Sequence, residues 1–425
     1  MSVQPGQPGD QPAGVFTLPD TIPDRETVEG WRRWRLTRHS FVAAPRLSIA
    51  QYRALSPRRR QLHDLHRAAT HANLPLQDTP MSMAVTRLMR SRLQTNALKH
   101  KPTTRAGLMI TGGGYQGKTE TACEIAAAFE DAWLDLHAQL NPNARPGTRD
   151  LHAPVAYVQT PVTAKPKSTC QAVLDFFGAD HKNMTLPQLT KAVRDSLHDH
   201  GTRALLLDVT RLKMHRADDQ DTLDLIRALM SMHTTLVLIG VNIPGSGLLR
   251  EGRHDPRTGE WVFPPPAQSS GDDPATQTER RFDLVALEPF RYDTAEHING
   301  WVAHLAGLED HLRLFNATPG MLSAGTMPEY LFRRTGGVVG LLERLVEEGC
   351  AEALDSGAEK LTENLLDTIM INLGNDPRRD PAAEEIPAVP ARKATKAAAK
   401  GRGRPRNTVF DDHGPGERSA AASSS

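Results

Sequence analysis

From about residue 105 the chain alternates short apolar runs with stretches whose apolar residues recur every three or four positions. GLMIT (107–111), VAYVQT (155–160), RALLLDV (203–209) and TLVLIGV (235–241) are near-continuous aliphatic runs, as expected of strands covered on both faces. Between them, residues 118–136, TCQAVLDFF (169–177), LPQLTKAVRDSLHDH (186–200) and TLDLIRALMSM (222–232) carry helical periodicity. Strands alternating with helices predict an α/β fold, a parallel sheet flanked by helices and joined by right-handed crossovers. DLVALEPF (283–290) reads as one more strand.

The pattern changes at both ends of this region. Residues 82–99 place Met83, Val85, Leu88, Met89 and Leu93 at helical spacing. Residues 243–281 (PGSG, HDPRTGE, PPP, SSGDDP) break the alternation and read as an irregular insertion. From residue 294 onward the segments are helical. The expected organisation is a Pro/Gly-rich leader (1–25) and a basic Arg/Trp-rich region (26–80), then an α/β nucleotide-binding core (81–292) and a small all-helical lid (293–374). A basic tail (375–425) follows, and leader and tail have the composition of disordered segments.

Composition adds limits rather than an identity. The 425 residues hold 51 Lys plus Arg against 50 Asp plus Glu, a formal charge of +1, which excludes a uniformly basic or acidic protein but not local patches. Three widely spaced cysteines, Cys123, Cys170 and Cys350, argue against a disulfide framework or a metal knuckle and for reduced, buried thiols. No window has the ~20 apolar residues of a membrane span, and the N-terminal residues have no basic-then-apolar signal pattern, so a cytoplasmic location with no membrane partner is expected.

The sharpest chemical signal is Gly112-Gly113-Gly114-Tyr115-Gln116-Gly117-Lys118-Thr119, which matches G-x-x-x-x-G-K-[ST] between a strand and a helix. Glycines let the backbone curl so that N–H groups point at phosphates, and the following helix adds its positive end. Lys118 can bridge the β- and γ-phosphates, and the Thr119 hydroxyl can ligate Mg²⁺. Gly112, Gly114, Gln116, Gly117, Lys118, Thr119 and Glu120 are the expected cofactor-binding residues, with ATP and Mg²⁺ the expected cofactors.

Such a loop works with an acid at the end of a neighbouring apolar strand, and Asp208, closing ALLLD, is the candidate. Asp208 is followed by Val209, where a second acid would polarise water. Two assignments stay open: Asp208 as the metal acid with no base, or Asp208 as the base with Leu207 in the metal position. Asp218 and Asp219 fit a helix cap better than a replacement. Asn242, after LVLIGV, is placed to orient a γ-phosphate or water. Arg281, before DLVALEPF, is placed to reach a neighbouring subunit's nucleotide. Arg333, Arg334 and Arg344 in the helical region are candidate phosphate sensors, and no spacing chooses among them.

Taken in order, the loop, the VQTP strand end, LLLDVTRL, LVLIGV, RRFDLVALEPF and a helical lid starting RTGGVVGLLERL resemble the TniB/TnsC-type AAA+ ATPases of transposons, over residues 80–372. The resemblance implies a homo-oligomer that assembles on DNA, selects a target and activates a transposase. It makes Asp208 the acidic strand residue, Asn242 a sensor and Arg281 the inter-subunit finger. The family usually has paired acids where this chain has Asp208-Val209, which points to slow hydrolysis.

Residues 391–410 contain seven basic residues and no acid, and Gly401-Arg402-Gly403-Arg404-Pro405-Arg406 resembles an AT-hook, narrow enough for an A·T minor groove. Arg402, Arg404 and Arg406 are therefore candidate DNA contacts. Residues 31–60 hold nine Arg and no acid, interleaved with Trp31, Trp34 and Tyr52. They suit DNA contact, docking of a transposase, or packing of the Trp residues on the core. A second functional reading is a nucleotide-dependent scaffold switch that recruits a protein without DNA. A third is a small-molecule kinase, which the helical lid disfavours.

Overall fold

The computed structural model describes residues 21–143, 152–161, 165–209, 220–241, 243, 253–254, 261–262 and 278–371. Asp218, Asp219, Asn242 and the tail with Arg402, Arg404 and Arg406 lie outside the described residues. The chain divides into two units. Among the described residues, one takes 21–41 and Asp78–Glu288; the other takes Val42–Gln77 and 289–371.

The first unit is built on five parallel strands: β1 (Gly107–Gly112), β2 (Val155–Gln159), β3 (Ala204–Asp208), β4 (Thr235–Ile239) and β7 (Phe282–Leu287). Their order is β2-β3-β4-β1-β7. Every residue of β3 and β4 is buried, as their unbroken aliphatic runs require. The helices of this unit are α1 (Val28–Thr37), α4 (Pro80–Ala97), α5 (Lys118–Leu140), α6 (Pro166–Phe176), α7 (Leu186–Asp199) and α8 (Gln220–Met230). Within the irregular insertion two short strands, β5 (Arg253–His254) and β6 (Trp261–Val262), pair antiparallel.

One expectation needs correcting. The acidic strand is not the neighbour of the loop strand: β4 lies between β1 and β3 and pairs with both. The two functional ends still meet because α5 crosses the sheet face, packing on β1, β4 and β2. In α4 the buried stripe is Val85, Met89 and Leu93, four residues apart, whereas Met83 falls off that stripe and is half exposed. Thr79 and Ser82 form a capping box, and Pro80 sits where a missing N–H costs nothing.

The basic N-terminal region is divided between the units. Trp31, on α1, is fully buried in the core beside the sheet; its indole N–H donates to Glu130 Oε2 at 2.7 Å and its ring stacks on Tyr157 of β2. Arg35 and Arg38 pair with acids of α5: Arg35 with Glu130 and Asp131, Arg38 with Asp131 and Glu124. This part of the block packs on the core.

The second unit contains α2 (Ile49–Ala54), α3 (Pro57–His71), α9 (Ala295–His311), α10 (Met327–Thr335), α11 (Val339–Asp355) and the short α12 (Glu363–Leu366). Trp301, Leu305, Leu308, Phe332, Leu342, Leu345 and Val346 are buried here. Arg67, 3% exposed, joins α3 to the α11–α12 link through a bidentate pair with Glu359 and lies 4.3 Å over the Phe315 ring.

All three cysteines are buried and free. Among the described residues there is no cluster of His, Cys, Asp and Glu able to hold a metal, and no helix long and apolar enough to cross a membrane.

Candidate nucleotide site

The loop begins where β1 ends. Gly112 has φ 151, and a Cβ there would meet the Leu287 carbonyl oxygen of β7 at 2.1 Å, so only glycine fits. Gly117, at φ 70, turns the chain into α5 as its N-cap and offers no side-chain cap to the first amides. These amides and the helix dipole face the loop, as an anion site requires. Tyr115 also takes a left-handed conformation, φ 58, with its side chain two-thirds exposed.

Lys118 is 8% exposed and its ammonium donates to the Gly113 carbonyl, closing the loop on itself. Burial lowers its pKa, with Asp208 opposing the shift. Gln116 is 3% exposed, and its Oε1 has no hydrogen-bond partner among the described residues. A buried amide oxygen without a partner is costly, and it fits a site that a polar ligand completes. Glu120 accepts two bonds from Arg25, at 2.7 and 3.0 Å, and is exposed. The Arg25 guanidinium also lies over Trp34 and Tyr157.

Asp208 closes β3 and is 3% exposed. Thr119 Oγ1 donates to Asp208 Oδ2 at 2.8 Å, and Thr160 donates from both its amide and its hydroxyl to the Asp208 carbonyl. Leu207 and Val209 are both buried among apolar residues. Among the described strand-end residues, Asp208 alone brings a carboxylate to Thr119.

Arg281 ends a 3₁₀ turn (Glu279–Arg281) and is exposed. The register pairs Phe282 with Gly107, so Arg281 sits at the end of the sheet opposite the loop. At ~3.3 Å per residue the length of β1 separates them by about 17 Å. It is therefore remote from its own chain's loop.

Of the three arginines in the helical unit, Arg334 is engaged internally. It is 7% exposed and bonds Tyr330 Oη, Asp367 Oδ1 and the carbonyls of Leu366 and Ile369. Arg333 pairs with Glu329 and Arg344 with Glu348. The contacts of Arg25 with Glu120 and of Trp31 with Glu130 escape sequence reasoning, because partners 95 and 99 residues apart leave no local spacing.

No family model and no curated protein matches the chain. Similar solved structures include the Aeropyrum pernix ORC1 protein in complex with DNA, at 14% identity and a TM-score of 0.46 over 71% of this chain and 68% of that one. The Aeropyrum pernix ORC2 protein in its ADP form is 13% identical, with a TM-score of 0.45 over 71% of each chain. Cdc6p from Pyrobaculum aerophilum is 10% identical, with a TM-score of 0.43 over 69% of this chain and 67% of that one. The functional reading rests on the chain's own residues.

Proposed function

We propose that this chain is an ATP-binding protein of the AAA+ type that assembles on DNA and regulates transposition by selecting a target and activating a transposase. The observation that carries the nucleotide part is the 2.8 Å contact between Thr119, on the phosphate loop, and Asp208, at the end of β3. The loop amides and Lys118 would hold the phosphates, with Gly112, Gly114 and Gly117 giving the backbone room to approach them and Gln116 offering a buried amide to the bound group. Thr119 and Asp208 would hold Mg²⁺, which supplies charge neutralisation at the β- and γ-phosphates when bound. Lys118 must leave the Gly113 carbonyl to do this, so the loop opens on itself as it closes on phosphate.

This reading takes Asp208 as the metal acid and leaves Val209 where a base would stand. Slow hydrolysis follows, and a long-lived bound state suits assembly, because binding alone can shift a population. Glu120, tied to Arg25, links the first turn of α5 to the N-terminal segment. Asn242 as γ-phosphate sensor and Arg281 as a finger toward the next subunit complete the proposed site. Arg402, Arg404 and Arg406 are the proposed minor-groove contacts. The transposition part rests on the ordered resemblance from the loop to the RTGGVVGLLERL segment.

The test is sedimentation of the full chain with a duplex of ~40 base pairs, with and without a non-hydrolysable ATP analogue and Mg²⁺. The expected result is nucleotide-dependent oligomers on DNA that Lys118→Ala abolishes. Nucleotide-dependent self-association without DNA would favour the protein-recruiting switch.

A further inference from the structure

The nine arginines of residues 31–60 do not form one patch. Arg35 and Arg38 are paired with acids of α5, Arg46 donates to the Asp310 carbonyl, and Arg60 Nε donates to the Leu55 carbonyl at 3.1 Å. Arg32 and Arg33 lie exposed on α1, in the sheet unit. Arg53, Arg58 and Arg59 lie together in the helical unit: all three are exposed, and none of their guanidinium groups has a hydrogen bond or ion pair among the described residues. They flank one turn. Arg53 lies in the last turn of α2, Leu55 and Ser56 link the helices, and Arg58 and Arg59 lie in the first turn of α3.

The electrostatics of this turn are adverse as it stands. The first turn of α3 carries three arginines and no acid, at the end of the helix where the dipole favours anions. The sole acid of the two helices, Asp64, is already held by the Tyr52 hydroxyl and the Arg67 guanidinium, each at 2.6 Å. Nothing in reach along either helix neutralises Arg53, Arg58 or Arg59.

The backbone that carries them is nonetheless firmly held. Ser48 and Gln51 cap α2, Ser56 caps α3, and the Tyr52–Asp64 bond ties one helix to the other. Three uncompensated guanidiniums on a braced turn suit a row of phosphates: each gains a charged partner, and little ordering remains to be done on binding.

We propose that the α2–α3 turn is a phosphate-backbone contact for duplex DNA, made by Arg53, Arg58 and Arg59. The inference rests on the DNA-assembly reading and adds a second contact, carried by the folded helical unit rather than by the tail. Backbone contacts of this kind give affinity and register without reading sequence.

The test compares the full chain with R53Q/R58Q/R59Q and R53K/R58K/R59K for binding to a fluorescent ~40-base-pair duplex across a salt series. Releasing about three phosphates should reduce the slope of log K against log salt by about 2–3 in the glutamine variant and weaken binding roughly 10- to 100-fold at moderate salt. The lysine variant should keep most of the slope, and both should keep wild-type melting and nucleotide affinity. Equal slopes for wild type and the glutamine variant would overturn the inference while leaving the DNA reading intact. So would a glutamine variant that keeps DNA binding but loses self-association, which would make the turn a protein contact. Loss of slope in the lysine variant as well would also overturn it. A wild type that binds no duplex at any salt would overturn both this inference and the DNA-assembly reading.

Discussion

Thr119 on the first turn of α5 and Asp208 at the end of β3, 89 residues apart, share a hydrogen bond of 2.8 Å even though β4 separates their strands. That contact places a carboxylate and a hydroxyl together at the mouth of the phosphate loop. Asp208→Asn keeps an acceptor for Thr119 but removes the charge. It is expected to lower Mg²⁺-dependent ATP affinity by about tenfold or more, the loss of one charge-assisted contact, while leaving Mg²⁺-free nucleotide binding nearly unchanged. Calorimetric titration with and without Mg²⁺ checks this. Unchanged affinity with lost turnover would instead make Asp208 the base.

Val209 follows with an apolar, buried side chain where a second acid would polarise water. A positioned general base contributes roughly 10²–10⁴-fold, so turnover is expected to fall at least about a hundredfold below that of an ATPase working at ~1–10 per second. Phosphate release measured on DNA, where the assembled form would be most active, is the check; turnover near 10 per second would show that another residue acts as the base.

Glu130 sets a pH dependence of stability. It is 3% exposed, accepts from the Trp31 indole, and lies 3.3 Å from Arg35 Nε, with Asp131 and Arg38 close by. Burial raises its pKa to about 7, against the opposing pull of Trp31 and Arg35. Between the ordinary carboxylate value and about 7 the folded chain binds more protons than the unfolded one. The contribution to stability is therefore present in full below pH ~4.5 and lost as pH rises through about 7, at up to ~1.4 kcal/mol per pH unit. His71 and His304, buried, and His152, partly buried, each lowered to about 4, act in the opposite sense, destabilising the fold as pH falls from 6.5. The measurement is thus the difference in denaturant stability between wild type and Glu130→Gln from pH 5 to 8. It is expected to shrink with rising pH; a flat difference contradicts the assignment.

Arg334 is expected to be a staple of the helical unit rather than a phosphate sensor. It bonds two side chains and two carbonyls while nearly buried. Arg334→Ala should cost roughly 3–5 kcal/mol, because Asp367 and the carbonyls lose their cation. Calorimetric melting should show this loss, with nucleotide affinity retained at temperatures where the variant is folded. A variant of normal stability with weakened ATP binding would restore the sensor role.

The strands were legible because burial on both faces writes itself as unbroken aliphatic runs, as in Leu205-Leu206-Leu207. The phosphate loop was legible because its chemistry is local: Gly112, Gly117, Lys118 and Thr119 lie within eight residues. The strand order was not, since hydrophobic pattern marks a strand but not its neighbour, and β4 inserted itself between the loop strand and the acidic strand. Nor was the division of the arginine block. Arg35 and Arg53 look alike in sequence; one meets Glu130 and Asp131 nearly a hundred residues away, and the guanidinium of the other meets no partner among the described residues. The role of Asp208 stayed open in the sequence because Leu207-Asp208-Val209 reads equally in two frames; the Thr119 contact supports the proposed metal role, which the Mg²⁺ titration tests.

The central claim is that nucleotide bound at the phosphate loop, with Thr119 and Asp208 on its Mg²⁺, drives assembly on DNA. Mass photometry of the full chain on a ~40-base-pair duplex, with a non-hydrolysable ATP analogue and Mg²⁺, with ADP, and without nucleotide, tests it most directly. The account predicts multi-subunit complexes with the analogue alone, lost in Lys118→Ala and reduced in Asp208→Asn. The same distribution of species in all three conditions would contradict it.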